Sequence, residues 1–391
     1  MNEKKLKWWQ IALIIISSIA VALGVTLWIG NVTSLGIFTP ASKGGDFHIT
    51  DFYNAVKRRN INSISDDVVI VSIDQLNRAQ TLEIINKVKQ LHPSAIGLDF
   101  PFVDSVAYHD YILNTIVKDI NIVHATVVNQ LSNGKFQREY YSFYEKEFPN
   151  TQVGFVTMDA GYAWDVIRTF HPFVLSEKED TIPSMTLALA KLSNPKRAQE
   201  LLARKHDIEI IDFASRKIEV IPANQLDNDD IAVKILGKVV LIGDTAYAAD
   251  IRMTPLHEPI SGIFIHAYSL QTVLSGSYIK EWPGWIMWGI AFIISILFVF
   301  LQQYARSFTY IGNCLIRLGL WILIFLLVWL GCIIFSRYNH YADFTIVISM
   351  LAFSSLAFDI TYATIGVVKW LMEKNIITKN KKCLIKKSHK Q

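Results

Sequence analysis

Cysteine is scarce: three residues in 391, at Cys314, Cys332 and Cys383, and none between Asn31 and Pro283. That long stretch has no thiol for a disulfide or a cysteine-bound zinc ion, so it must fold on its apolar core alone, for which about 250 residues suffice. Charge is nearly absent from four other stretches: Trp8 to Ile29, Trp285 to Leu301, Leu318 to Phe335, and Phe344 to Val368 with its single Asp359. Each is long enough to cross a hydrocarbon core of about 30 Å. Acids are wanting at the end of the chain, where Glu373 stands against eight lysines from Lys369 to Lys390. Also missing are a nucleophile motif, a glycine-rich phosphate loop and a spaced set of metal ligands, which leaves hydrolase, nucleotide and metal chemistry without a carrier. No catalytic residue, metal ligand or cofactor is therefore assigned.

The first apolar run follows Lys4, Lys5 and Lys7 and is bracketed by Trp8, Trp9 and Trp28. Such flanks predict a retained signal anchor over residues 1–30; the rival is a signal peptide cut near Ala20-Val21-Ala22, against which the apolar run continues past that site. Three C-terminal spans are expected within 284–368 and a basic tail over 369–391. The lysines at both ends place both termini in the cytoplasm, an even number of spans agrees, and Arg306 and Arg317 fall in an inner loop. Residues 31–283 are then extracytoplasmic, periplasmic if the membrane is a bacterial inner membrane. This part carries 24 Lys and Arg against 30 Asp and Glu, a net −6, while the remainder carries +10. The basic balance thus belongs to the membrane and its inner face. A lysine-rich tail beside a span is expected to touch anionic lipid, and no nucleic acid is expected as partner.

Within the exterior part, Val68 to Asp74 is a β-branched run ending in an acid, the mark of a parallel strand buried on both faces. Leu82, Ile85, Val88 and Leu91 then recur at helical spacing until His92-Pro93. "AIGLDF" from Ala95 repeats the strand, a weaker helical pattern runs from Val106 to Val117, and Asn121 to Val128 is a third apolar run. This alternation predicts an α/β fold with a mostly parallel sheet flanked by helices, and a crevice beyond the carboxyl ends of its strands. Lys135 to Val156 is irregular. A short helix is expected over Ile182 to Leu192 and a hairpin over Ile208 to Pro222. "DNDD" at Asp227 to Asp230 reads as a solvated loop, since it lacks the glycine and distal glutamate of a calcium loop. Lys238 to Gly243 returns to the sheet. Ile263, Ala267, Leu270 and Leu274 line a last helix before Gly276, and Pro283 breaks the chain ahead of the second span, with Trp282, Trp285 and Trp288 at headgroup level.

These segments resemble the CHASE2 family of extracytoplasmic sensory domains followed by three transmembrane helices. The resemblance lies in "DDVVIVSID" at Asp66, "AIGLDFPF" at Ala95, "GYAWDVIRTFHPF" at Gly161, "IPSMTLALA" at Ile182, and "KVVLIGDTAYAADIRMTPL" at Lys238 running on through "GIFIHAYSLQTVLSG". It implies a bacterial signalling protein whose outer domain binds a small ligand and usually sits on a cytoplasmic cyclase or kinase. Here no such output domain is expected after the fourth span. At Gln75 to Ala79 the chain also lacks the Ser and Trp-Pro-Trp-like element usual before the first helix.

Asp74 and Asp99 end the first two strands and are expected to face one crevice, either gripping a cation, an amine or sugar hydroxyls or capping the next helix. Asp244, Asp250 and Arg252 approach the same rim, where the arginine either binds an anion or neutralises a neighbouring acid. His266 is either a buried histidine bonded to a backbone carbonyl or a proton switch. Asp343 lies at the outer membrane edge, and Asp359 lies deep, where a carboxylate needs Arg317, a partner protein or a proton. The resulting expectation is a bacterial inner-membrane sensor or adaptor. Its outer domain binds an unidentified small ligand or periplasmic protein, and its helices signal to a membrane partner or a homodimer. The alternatives are a structural or assembly subunit of a cell-envelope complex and a periplasmic enzyme using Asp74 and Asp99 as acid and base.

Overall fold

The structure, a computed structural model, describes residues 8–32, 48–305 and 310–388, apart from 60, 75, 117–120, 141, 144–150, 159–165, 179, 229, 248–249 and 257. Two compact units share the chain: Ser34–Lys280 with Cys332–Tyr341 form the exterior unit, and Met1–Thr33, Glu281–Gly331 and Ala342–Gln391 the membrane unit.

Seven main strands organise the exterior unit: β1 (Ile64–Ser72), β2 (Ala95–Leu98), β3 (Ile122–Gln130), β4 (Phe136–Tyr140), β5 (Gln152–Phe155), β6 (Lys217–Pro222) and β7 (Val239–Gly243). Their order is β6-β1-β7-β2-β3-β4, with β5 also paired to β3. Every pairing is parallel except β3 with β4. Because β2, β7 and the Val68–Ser72 part of β1 are buried throughout, their sequences read as near-continuous apolar runs.

Helices cover both faces. On one side α3 (Arg78–Gln90), α4 (Ala107–Ile116) and α7 (Ile231–Ile235) pack Leu82, Ile85, Val88, Leu113 and Ile235 against Val69, Val71, Ile96 and Val240. Opposite lie α5 (Met185–Ser193), α6 (Pro195–Ala203) and α8 (Gly262–Ser275), with Met185, Leu189, Ile263, Ala267 and Leu270 against Val68, Ile70, Val239 and Leu241. The product is a three-layer α/β/α unit with a mostly parallel sheet, as the alternating pattern requires.

Several local expectations need correction. Residues 208–222 are not a hairpin: β6 joins β1 in parallel at the sheet edge, while Glu209–Ile210 pairs with Thr169–Phe170. Alternating polarity suits a half-buried edge strand as well as a hairpin, so periodicity could not separate them. The irregular stretch 135–156 supplies β4 and β5. The helix expected over 182–192 starts later, at Met185, because Thr181–Pro183 pairs with Phe173–Leu175 and Ser184 caps α5 through Leu187 N–H. In the acidic loop Asp227 pairs with Lys87 at 2.9 Å, and Asp229 lies outside the described residues.

Helix α2 (Ile49–Arg58) was not expected from the sequence, although Ile49, Tyr53 and Val56 recur at helical spacing and join one buried cluster. His48 caps it, its side chain accepting from Thr50 N–H while Asp51 accepts from the His48 N–H. The helix is fixed by ions. Arg168 donates from Nε and Nη2 to the two Asp51 oxygens at 2.8 and 2.7 Å, both side chains being 3% exposed. Lys57 reaches both Asp212 oxygens at 2.9 Å and Asn339 at 2.7 Å. Around them Tyr53, Ile279, Cys332, Phe335 and Tyr341 form a buried cluster.

Among the described residues four helices are long and apolar enough to cross a bilayer, one N-terminal and three C-terminal: α1 (Trp8–Val32), α9 (Gly284–Ala305), α10 (Tyr310–Tyr338, whose end from Cys332 belongs to the exterior unit) and α11 (Phe344–Ser388). Ile14, Val299 and Phe358 meet where α1, α9 and α11 pack, and Gln302 donates to Ser355 at 3.3 Å. Buried Ser18, Ser295 and Ser354 mark the small side chains that let such helices approach closely. Arg317, expected in an inner loop, lies inside α10 and ion-pairs with Asp359. The expected tail is helical through Ser388 as a continuation of α11.

Candidate functional site

Strand β7 enters the sheet between β1 and β2, so the loops leaving these three neighbours share one rim. A cleft of about 700 Å³ opens there, lined by Leu76, Arg78, Thr81, Asp99, Phe100, Pro101, Phe102, Asp244, Tyr247 and Asp250 among others. Its position beyond the carboxyl ends of parallel strands is where open α/β sheets bind ligands.

Of the six residues expected at this rim, the structure brings Asp99, Asp244 and Asp250 together in the lining, while Asp74, Arg252 and His266 stay outside it. Asp74 serves the loop after β7: it accepts from Thr245 N–H at 2.7 Å and from the Thr245 hydroxyl at 3.0 Å. It does not cap α3, whose N-cap is Asn77 in reciprocal bonding with Gln80. Burial pulls the Asp74 pKa upward, but hydrogen bonds from Ser72 and Thr245 prevail and leave it below the ordinary value.

Asp244 accepts Ala246 N–H at 2.8 Å, which sets the turn. Asp250 accepts Gly262 N–H at 2.9 Å and the Ser261 hydroxyl at 3.3 Å, stabilising the N-terminus of α8. Burial raises the Asp250 pKa, against the Gly262 bond and the nearby charge of Arg252. Arg252 itself donates to Ile251 O at 3.1 Å in the short ribbon that Ile251–Arg252 forms with Ile260–Ser261. Two glycines permit this crowding: a Cβ on Gly243 would sit 3.0 Å from Asp99 Cβ, and one on Gly262 2.5 Å from an Asp250 oxygen.

Asp99 differs from its neighbours. Its side chain is 9% exposed, and among the described residues its carboxyl takes no hydrogen bond; His266 Nε2 stands 3.6 Å away and is bonded to Val156 O at 3.2 Å. Burial pushes the Asp99 pKa well above its ordinary value of 3.8, and Asp250 pushes it the same way. His266 is driven by burial down to about 4, as is His124 on β3. Both imidazoles are therefore neutral when folded and titrate near 6.5 when unfolded, so stability should be intact above about pH 6.5 and drain away as pH falls towards 4, by on the order of 3 kcal/mol each. Melting temperatures followed through that range should fall on acidification, with a shallower fall in His266→Gln.

Among the lining residues not expected from sequence, Arg78, Phe100, Phe102 and Tyr247 bring a charge or a ring to the cleft. Arg78 opens α3, lies over the Phe102 ring at 4.6 Å and donates to Asp104 O at 2.8 Å. Phe100 and Phe102 meet edge to face with centroids 5.2 Å apart. Their signal was available, because "DFPF" continues directly from Asp99 and "TAYAAD" from Asp244.

Compared with known protein families, the chain matches the CHASE2 domain over residues 25–301. The chain belongs to the CHASE2 family. No curated protein and no solved structure is matched. CHASE2 domains are extracellular sensory domains, and the matched segment holds the whole sheet, both helical layers and the cleft. With four apolar helices, this CHASE2 protein fits a multi-pass membrane protein.

Proposed function

We propose that this CHASE2 protein is a non-catalytic membrane sensor. Its exterior unit lies on the periplasmic side of a bacterial inner membrane, both termini lie in the cytoplasm, and the basic end of α11 touches anionic lipid. A small ligand, or a segment of a periplasmic protein, occupies the Asp99 cleft, and the helices pass that occupancy to a separate membrane protein or a second copy.

The observation that carries this reading is the cleft: about 700 Å³ at the sheet's switch point, with a buried carboxyl that no donor among the described residues satisfies. Buried acids are ordinarily bonded, and a ligand at this position supplies what is missing. Against an acid and base pair stands the separation of roles, since Asp74 is bonded to Thr245 and lies outside the lining that holds Asp99. Support for a lateral output comes from α10, which leaves Trp321, Phe325 and Trp329 exposed while α1, α9 and α11 pack together.

Thermal shift of the full-length protein against a broad small-molecule library tests the reading. Some compounds should raise the melting temperature, and lose that effect in Asp99→Asn. A domain indifferent to every compound would be better read as a docking subunit of an envelope complex.

A further inference from the structure

The three acids of the cleft are not equivalent. Asp244 is bonded to Ala246 N–H, Asp250 to Gly262 N–H and Ser261, and each therefore has a structural task. Asp99 has none. It follows β2 directly, and its backbone N–H is spent on Ile242 O at 2.9 Å, which fixes the residue at the strand end. Its side chain is more than nine-tenths buried and faces the cleft without a hydrogen-bond donor among the described residues.

The surroundings narrow the chemistry of the missing donor. Asp244 and Asp250 share the lining, so the cleft is negative, while the one lining arginine, Arg78, lies over Phe102 and donates to Asp104 O. An anionic ligand would meet the Asp244 and Asp250 carboxylates there. Phe100 and Tyr247 add aromatic surface beside the Phe102 ring that Arg78 covers, and such surface attracts organic cations through ring faces as well as through apolar contact. A metal ion is a poorer fit, because among the described residues no group of three or more His, Cys, Asp or Glu is placed to hold one.

Resting on the sensory reading above, we propose that the Asp99 cleft recognises a small organic cation, and that Asp99 receives its primary ammonium group in a charge-assisted hydrogen bond. Asp244 and Asp250 supply the negative potential, and the aromatic residues enclose the carbon skeleton. Burial and Asp250 both favour the protonated form of Asp99 and an ammonium group favours the ionised form, so binding pulls Asp99 towards losing a proton. The groups facing Asp99 are Asp250 before α8, Asp244 after β7 and the neutral His266 on α8, with Arg78 at the start of α3.

The test uses the full-length protein in lipid nanodiscs and three probes of similar length: 1,4-diaminobutane, the neutral 1,4-butanediol and the dianion butanedioate. Diaminobutane should raise the melting temperature and the other two should not. Asp99→Asn should weaken diamine binding by at least about tenfold while melting no lower than the parent, which separates loss of the site from loss of the fold. Calorimetry of the unmodified protein in buffers of different ionisation heat gives a second measure, the proton released from Asp99. Diamine binding that survives Asp99→Asn, or that releases no proton anywhere between about pH 5 and about pH 8, overturns Asp99 as the anchor. A response to the diol or the diacid alone overturns the cation assignment and leaves the sensory cleft standing. Silence from all three probes also overturns the cation assignment, and the wider library then decides the sensory reading on its own.

Discussion

Asp99→Asn should melt higher than the parent protein at neutral pH, by an amount on the order of 2 kcal/mol in stability. The folded protein holds this carboxyl in a buried place where ionisation is opposed both by loss of water and by Asp250. Its pKa is therefore higher folded than unfolded, and the unfolded chain ionises first as pH rises. Above the unfolded value of 3.8 the native state accordingly loses stability relative to the unfolded one, increasingly until the folded pKa is passed. The variant carries no such penalty. Its advantage should vanish near pH 3.8 and grow towards neutrality, a trend opposite in sign to the histidine effect, so paired melting curves across pH isolate it. A variant less stable than the parent at every pH would mean that the carboxyl is held by a bond the geometry does not contain. Substitutions that stabilise a protein while abolishing a response are expected where function keeps a polar group buried and unsatisfied.

The second large effect lies at the ion pair holding α2. Arg168→Met leaves Asp51 buried beside Thr50 and His48 with its strongest donors gone, and should cost about 3–5 kcal/mol, or roughly 10 °C in melting temperature. Asp51→Asn should cost less, because the amide keeps the bond to the His48 N–H while one charge is removed. Replacing both ions by apolar residues should recover much of the loss, since the pair's desolvation cost disappears with it. A double-mutant cycle on the full chain measures this. Equal losses in Arg168→Met and in the double variant would show that packing, and not charge, fixes α2.

Where the hydrophobic pattern was strong, the sequence was sufficient. Val68 to Ser72, Ala95 to Leu98 and Val239 to Gly243 are buried on both faces, so their apolar runs can only be central strands, and their parallel arrangement follows from the helices between them. The same runs, each ending near an acid, pointed to Asp99 and Asp244. Spatial order was not legible. Nothing in residues 239–243 says that β7 lies between β1 and β2, and this insertion is what turns Asp74 towards Thr245 and leaves Asp99 facing the cleft. Edge and near-surface elements were also hidden, because β6 is half-buried and α2 is short, with its apolar Ile49, Tyr53 and Val56 set among the charged Asp51, Lys57 and Arg58. Arg78 escaped notice for a related reason: a single arginine at a helix start has no periodicity, and its place became evident only with Phe102 beneath it.

The insertion of β7 also bears on how the protein is made. A ribosome that has delivered residues 64–222 has produced both flanks of the sheet, but β1 and β2 have no direct partner in each other and await a strand made later. Until residues 239–243 emerge, two apolar edges stand open, and pairing across nearly the full sequence distance of the domain must then be completed late. Folding of this domain therefore has a vulnerable interval, and shortened chains ending before β7 should be cleared by proteolysis instead of accumulating as partial folds.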